Sequence, residues 1–201
     1  MIKYWYLWAL IIVLIPITAF VCYKAAVATK KAREEREKFI DEIDRAKSLK
    51  DEFQAISAED LQNAEDDRVL AGETILIDLF LNKQTDANKA FSLLPKEKQY
   101  AYVLNCILED SGGSVAEFYR KNTPPVSPLA VDALKAAGLS DIADIFAEVY
   151  PMFDENDDET SVDYEKIEEL DKKFSELFDE QKYKTAASLY IKSNATVFTG
   201  E

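Results

Sequence analysis

The chain reads as an all-α protein in three parts: a single transmembrane helix at the N-terminus, a charged helical stalk, and an acidic multi-helix bundle. Three observations predict this. Residues 5–23 form one uncharged run, WYLWALIIVLIPITAFVCY. Six later segments space apolar residues at helical intervals, and none sustains the period of two that a strand needs. Charge is also divided. The first 38 residues carry seven Lys/Arg and three Glu, whereas the remainder carries 17 basic and 35 acidic residues. The parts fall at residues 1–24, 25–56 and 57–201.

At ~1.5 Å per residue the apolar run makes a helix of roughly 28 Å, about one hydrocarbon core. Trp5, Tyr6 and Trp8 at one end and Tyr23 at the other fit the aromatic belts of a bilayer. Pro16 is tolerable in a membrane helix. The competing reading is a signal peptide cleaved after Ala26-Val27-Ala28, which would export the protein. Against it, the run exceeds the ~7–15 residues of a signal-peptide core, and Lys24 intrudes before the site. Phe20-Val21 makes a poor lipobox before Cys22. An uncleaved anchor is therefore expected. Lys24, Lys30, Lys31, Arg33, Arg36 and Lys38 follow the run and only Lys3 precedes it. That places the body on the cytoplasmic side of the inner membrane, in a single-pass topology.

Residues 25–56 are rich in alanine and charge and contain no Gly or Pro. Phe39, Ala46 and Phe53 lie a heptad apart, with Leu49 and Ile56 at the matching second position. Two heptads fall short of the three or four that argue a coiled coil. Packing of these residues against the body is favoured over weak self-association through the stalk. The basic flank, residues 30–38, is solvated and suited to anionic headgroups.

Along the body, residues 57–67 read as a polar loop. Residues 74–81, TILIDLFL, fit a buried strand or a helix by period alone, and their helical surroundings favour helix. Residues 86–94 form another helix, with Ala90, Phe91 and Leu94 inward. Pro95 suits a first helical position. Tyr100, Val103, Leu104, Ile107 and Leu108 then make one apolar face, and Gly112-Gly113 ends that helix. Val115, Phe118 and Tyr119 share one side of a short helix, Phe118 and Tyr119 serving as core and rim. Pro124, Pro125 and Pro128 break the chain. Ser127-Pro128 reads as N-cap and first residue of a helix over 128–137 that stops at Gly138. Ser140 caps the next helix. Its Asp141 and Asp144 suit the helix dipole, and Ile142, Ile145, Phe146, Val149 and Tyr150 form its inner face.

The most acidic segment follows. Residues 154–180 hold 13 acidic and three basic residues. Ile167, Leu170, Phe174, Leu177 and Phe178 define an inward face. Asp163, Glu165, Glu168, Glu169, Asp171 and Glu176 are thereby placed outside, beside Asp154, Asp157 and Asp158. Tyr183, Ala186, Ala187, Tyr190 and Ile191 mark a last amphipathic helix.

Composition narrows the chemistry. The absence of histidine removes Ser-His-Asp and Cys-His devices and any His-containing zinc site. There is no phosphate-binding glycine motif. Asp154, Asn156, Asp158 and Glu165 match positions 1, 3, 5 and 12 of a calcium loop, but Glu159 stands where glycine is required. No metal, no cofactor and no catalytic residue is expected, and no disulfide between Cys22 and Cys106. The protein is expected not to be an enzyme.

The stretch 100–153 carries a family resemblance. Gly112-Gly113 between helices is followed by Glu117-Phe118-Tyr119 and Asn122, by Ala133-Leu134-Lys135-Ala136-Ala137-Gly138, and by Ala143-Asp144-Ile145-Phe146. This order resembles a family of small, acidic, all-helical bacterial domains whose characterised example is a DNA-mimic protein. Ser111 and Ser114 depart from the Asn and Phe usual in that family's turn. The resemblance implies a domain over 57–201 whose carboxylates, spaced like phosphates, occupy the DNA site of a basic protein. DNA carries about one charge per ~1.7 Å of axis, so a mimic needs a dense acidic face. The outer face of the 161–180 helix, with 154–159 beside it, is the expected surface. A membrane-tethered interaction module with a basic DNA-binding or toxin partner is the leading reading. It would not bind nucleic acid directly, because like charges repel. A tethered scaffold, its acidity serving only solubility, is the alternative.

Overall fold

The computed structural model describes the backbone of residues 5–153 and 162–200, without the side chains of residues 5–22, 25–26 and 34–35. Among the described residues there are eleven α-helices, two single-turn 3-10 segments and no strand. The chain divides into two compact units, residues 1–47 and 48–201. α1 runs from Trp5 to Phe53. In the first unit Phe39, Ile40 and Ile43 are exposed, and Arg33 pairs with Glu37 one turn along at 2.9 Å. The anticipated membrane span over residues 5–23 falls on side chains outside the described ones, apart from Tyr23. Among the described residues no helix is long and apolar enough to cross a membrane.

The second unit begins with the last turn of α1. Leu49 and Phe53 are buried there, so these two heptad positions serve the body's own core. Phe53 lies against Gly72 of α3 (Asp66–Leu81). A Cβ at Gly72 would come within 2.4 Å of the Phe53 ring, so glycine is what admits the ring. That close approach explains a glycine inside a helix, where it costs about 1 kcal/mol relative to alanine.

Residues 57–67 are not a loop. They contain α2 (Ala58–Asn63), capped by Ser57, whose side chain accepts the Asp60 N–H at 3.1 Å. Leu61 is fully buried. The signal was Ser-x-x-Asp, an acidic variant of the capping box, ahead of a single apolar anchor. α3 also starts eight residues before the 74–81 run. Its Asp66 accepts from Lys192 Nζ at 2.7 Å and from the Ser188 hydroxyl at 2.9 Å. The Lys192 bond, with Ser188 assisting, holds the Asp66 carboxyl below its ordinary range. These contacts fasten α3 to α10 (Glu180–Ser193), its main packing partner.

α4 (Ala87–Ser92) is capped by Asp86, and Phe91 is its buried anchor. α5 (Lys96–Asp110) is the central helix, with Ala101, Val103, Leu104 and Ile107 fully buried. Pro95 is its N-cap rather than its first residue. Tyr183 of α10 crosses the core and donates to the Leu104 carbonyl at 2.8 Å, which satisfies a phenol that is otherwise fully enclosed.

After α6 (Val115–Lys121) the chain makes a 3-10 turn at Ser127–Leu129 before α7 (Ala130–Ala136). Ser127 and Pro128 therefore belong to that turn, and α7 is shorter than the helix expected over 128–137. α8 (Ser140–Val149) has Leu139 at its N-cap position, and Ser140 is its first helical residue with no capping bond. α9 (Tyr164–Leu177) follows, and a short α11 (Ala195–Thr199) closes the chain with Ala195 and Phe198 buried. α11 had no signature of its own in the sequence, because five residues are too few to show a period.

Candidate functional site

α9 forms because Asp163 caps it, accepting the Lys166 N–H at 3.1 Å. Ile167, Leu170 and Phe174 then recur on one side and are buried. That side rests on α8 and α6. Leu177 departs from the expected inward face: it is 49% exposed. The helix ends at Phe178, whose extended backbone turns its ring onto Phe174 at 4.9 Å and Tyr183 at 5.4 Å. Leu177 is left at the mouth of a shallow cleft shared with Leu139, Asp141 and Asp179.

The carboxylates of this segment fall into three groups. Glu165, Glu168, Glu169 and Glu176 are exposed on α9. Glu169 pairs with Lys173 at 2.8 Å, and that bond holds its carboxyl below the ordinary range. Asp163 is exposed too but is used as the cap of α9, and Asp171 is half-buried. The Asp171 carboxylate accepts the Val115 N–H at 2.8 Å, which caps α6 from outside that helix. Asp171, expected on the outer face, is half-buried and fastens α9 to the turn before α6. The physical reason is that α6 has no side-chain cap of its own, so its first N–H groups need an acceptor. Asp154, Asp157 and Asp158 lie outside the described residues, as do Asn156 and Glu159 of the calcium-like pattern.

The acidic surface extends further than the sequence suggested. Asp141, Asp144 and Glu148 of α8 are exposed, at i, i+3 and i+7, opposite the buried Ile142, Ile145, Phe146 and Val149. α8 packs on α9, and Lys166 bridges to Glu148 at 3.4 Å. Two rows of carboxylates therefore stand side by side. The spacing was legible, since acids alternating with the apolar stripe must face out. What the sequence lacked was the pairing of α8 with α9.

The turn at Gly112 and Gly113 is built differently. Their φ values are 51° and 94°, the left-handed region where only glycine is unstrained. Asn122, at the end of α6, donates to Asp110 Oδ2 and to the Phe118 carbonyl, both at 3.0 Å. Phe118 is fully buried and touches Phe146 at 5.5 Å between centroids. The Tyr119 hydroxyl donates to the Phe146 carbonyl at 3.1 Å, and burial pushes its phenol well above the ordinary range. Tyr119 is buried like Phe118 rather than forming a rim. Glu117 pairs with Arg120 at 2.9 Å. Phe118 and Tyr119 hold α6 against α8, and Asn122 ties its end to α5.

Chemistry elsewhere is subdued. Cys106 is a free thiol, and burial, with Asp110 beside it, pushes it up to about 12, far from a reactive thiolate. Among the described residues no three His, Cys, Asp or Glu side chains are placed to hold a metal ion.

An all-helical body with a paired-helix acidic surface is thus the class of protein defined here. Residues 92–194 match the family model described as DMP19-like protein, about half of the sequence, and the chain belongs to that family. No curated protein and no solved structure matches it. The matched range contains α5 to α10, hence both the turn and the acidic surface.

Proposed function

We propose that the protein is a membrane-anchored interaction module that offers the carboxylates of α8 and α9 to a basic protein, in place of DNA phosphates. The family supports a DNA-mimic role, and the two rows of exposed acids are the observation that carries it. The anchor is the 5–23 run, with the body on the cytoplasmic side. Partner binding requires no catalytic residue, metal or cofactor.

Charge density sharpens the reading. α9 is ~21 Å long, and a duplex of that length carries about 12 charges. The seven exposed acids of α8 and α9, offset by Lys166, Lys172 and Lys173, leave a net of four negative charges. That falls well short of duplex density. Five further acids stand at Asp154, Glu155, Asp157, Asp158 and Glu159, and they bring the total to nine. Mimicry at duplex density therefore needs the acids of 154–159 as well as those of the two helices.

The test is a pull-down with the full-length chain in mild detergent, followed by a salt titration. A basic partner should be captured and lost steeply as salt rises, since the Debye length is ~10 Å at 0.1 M. Glu165, Glu168 and Glu169 changed together to Gln should keep the fold and lose the partner. Unchanged affinity and salt response in the triple variant would instead favour a tethered scaffold.

A further inference from the structure

Leu177 is left half in water because Phe178 takes the interior place, against Phe174 and Tyr183. A single leucine scattered on a polar surface would carry no meaning. Leu177, however, borders a concave cleft of about 150 Å³, with Leu139 and Ile142 at the start of α8 as its apolar neighbours. A volume of that order holds a ring or a branched aliphatic side chain.

The cleft lies on the seam between the two acidic rows. Lys166 of α9 meets Glu148 of α8 at 3.4 Å. Further along α9, Leu177 shares the cleft with Leu139 and Ile142, at the other end of α8. The two helices therefore run antiparallel, and Glu148 stands ~10 Å along α8 from Asp141, which lines the cleft. A partner that covers the rows reaches the cleft as well.

The rim is acidic. Asp141 borders the cleft from α8, and Glu176 precedes Leu177 on α9, both exposed. Asp179 and Lys182, also at the cleft, pair with each other at 3.7 Å and offset one another. α8 begins here with no side-chain cap, and a helix start carries about half a positive charge. Two carboxylates outweigh it, so the surroundings of the cleft favour a cation.

We infer that this cleft takes an apolar side chain of the basic partner, flanked by lysine or arginine reaching Asp141 and Glu176. The inference rests on the reading of α8 and α9 as a surface for a basic protein. It adds what that protein carries there: an aliphatic or aromatic residue set among basic ones. Phosphates contribute charge alone, so this contact goes beyond mimicry. Charge steers the encounter and weakens as salt rises, whereas burial of an apolar side chain is not screened. The cleft thereby gives the surface a means of telling one basic protein from another.

Fluorescence anisotropy on the full-length chain in mild detergent tests this with two labelled peptides. One is a short peptide of lysine and alanine with a single central leucine, and the other has serine in that place. The leucine peptide should bind about tenfold tighter, the worth of burying one aliphatic side chain. Both affinities should fall as salt is raised, and the ratio between them should persist. Leu177→Ser should bring the leucine peptide down to the level of the serine peptide. Leu189→Ser, at a comparably exposed leucine of α10 outside the cleft, should keep the difference. Equal, salt-sensitive binding of both peptides to the unaltered chain would overturn the cleft and leave the acidic surface standing. So would a leucine advantage that survives in Leu177→Ser. Binding of neither peptide would count against the acidic surface itself, and the cleft would fall with it.

Discussion

The Gly112 to Asn122 turn and the outer surface of α8 and α9 are neighbours, since α6 packs on both helices. They use polar groups in opposite ways. In the turn the motif side chains are engaged at short range: Asn122 on Asp110 and Phe118, Tyr119 on Phe146, Glu117 on Arg120. On the surface Glu165, Glu168 and Glu176 stand exposed beside the Asp141, Asp144 and Glu148 row. The difference teaches that a family signature and the surface proposed for recognition overlap only in part. Most residues that carry the resemblance build the body, while Asp144 and the acids beside them stand exposed. Asp171 marks the border: it sits in the acidic segment and works for the turn.

The comparison breaks first where stability is largest. Phe118→Ala removes a fully buried ring in contact with Phe146 and Tyr119. It should cost about 3–5 kcal/mol in denaturant unfolding of the body. A loss below ~1 kcal/mol would mean that the turn is not part of the core.

Asp171→Asn should cost about 1–2 kcal/mol, because a charge-assisted bond to the Val115 N–H is weakened. Partner affinity should be nearly unchanged. If Asp171→Asn instead abolishes binding while leaving the unfolding midpoint in place, Asp171 belongs to the surface after all.

Asn122→Ala should cost about 1 kcal/mol, the usual net worth of a side-chain hydrogen bond, through loss of its two donations at the end of α6. Its effect should not add to that of Asp110→Ala, since the two share a contact, and a double-mutant cycle measures this.

The smallest stability effect should come from the acids themselves. The Glu165, Glu168 and Glu169 triple change to Gln should move stability by no more than about 0.5 kcal/mol, because these side chains are exposed and surface pairs such as Glu169–Lys173 contribute little. A large destabilisation would show that the carboxylates hold the fold, and would erase the contrast with the turn.

Much of this was legible in the sequence, and the exceptions have identifiable causes. The apolar stripes of α5, α8 and α9 could be read because each exceeds two turns, long enough for a period of 3.6 to show. α2 and α11 could not, since one buried leucine or phenylalanine per helix has no period. Leu177 failed by position: it ends its helix, and the chain direction after Phe178 decides which of two adjacent apolar side chains goes in. The α8 acids were visible as exposed residues but not as partners of α9, because a pairing of helices is a property of two segments at once.

By itself, then, the sequence determined the helical class, the acidic balance and the inner face of each long helix, all of which depend on intervals within one segment. Only the tertiary structure decided which helices meet. It tied Asp171 to the Val115 N–H, set α8 with its exposed acids against α9, set Phe53 on Gly72, and left Glu73 enclosed. Each of these depends on distances between residues far apart in the chain, and spacing along one helix cannot encode them.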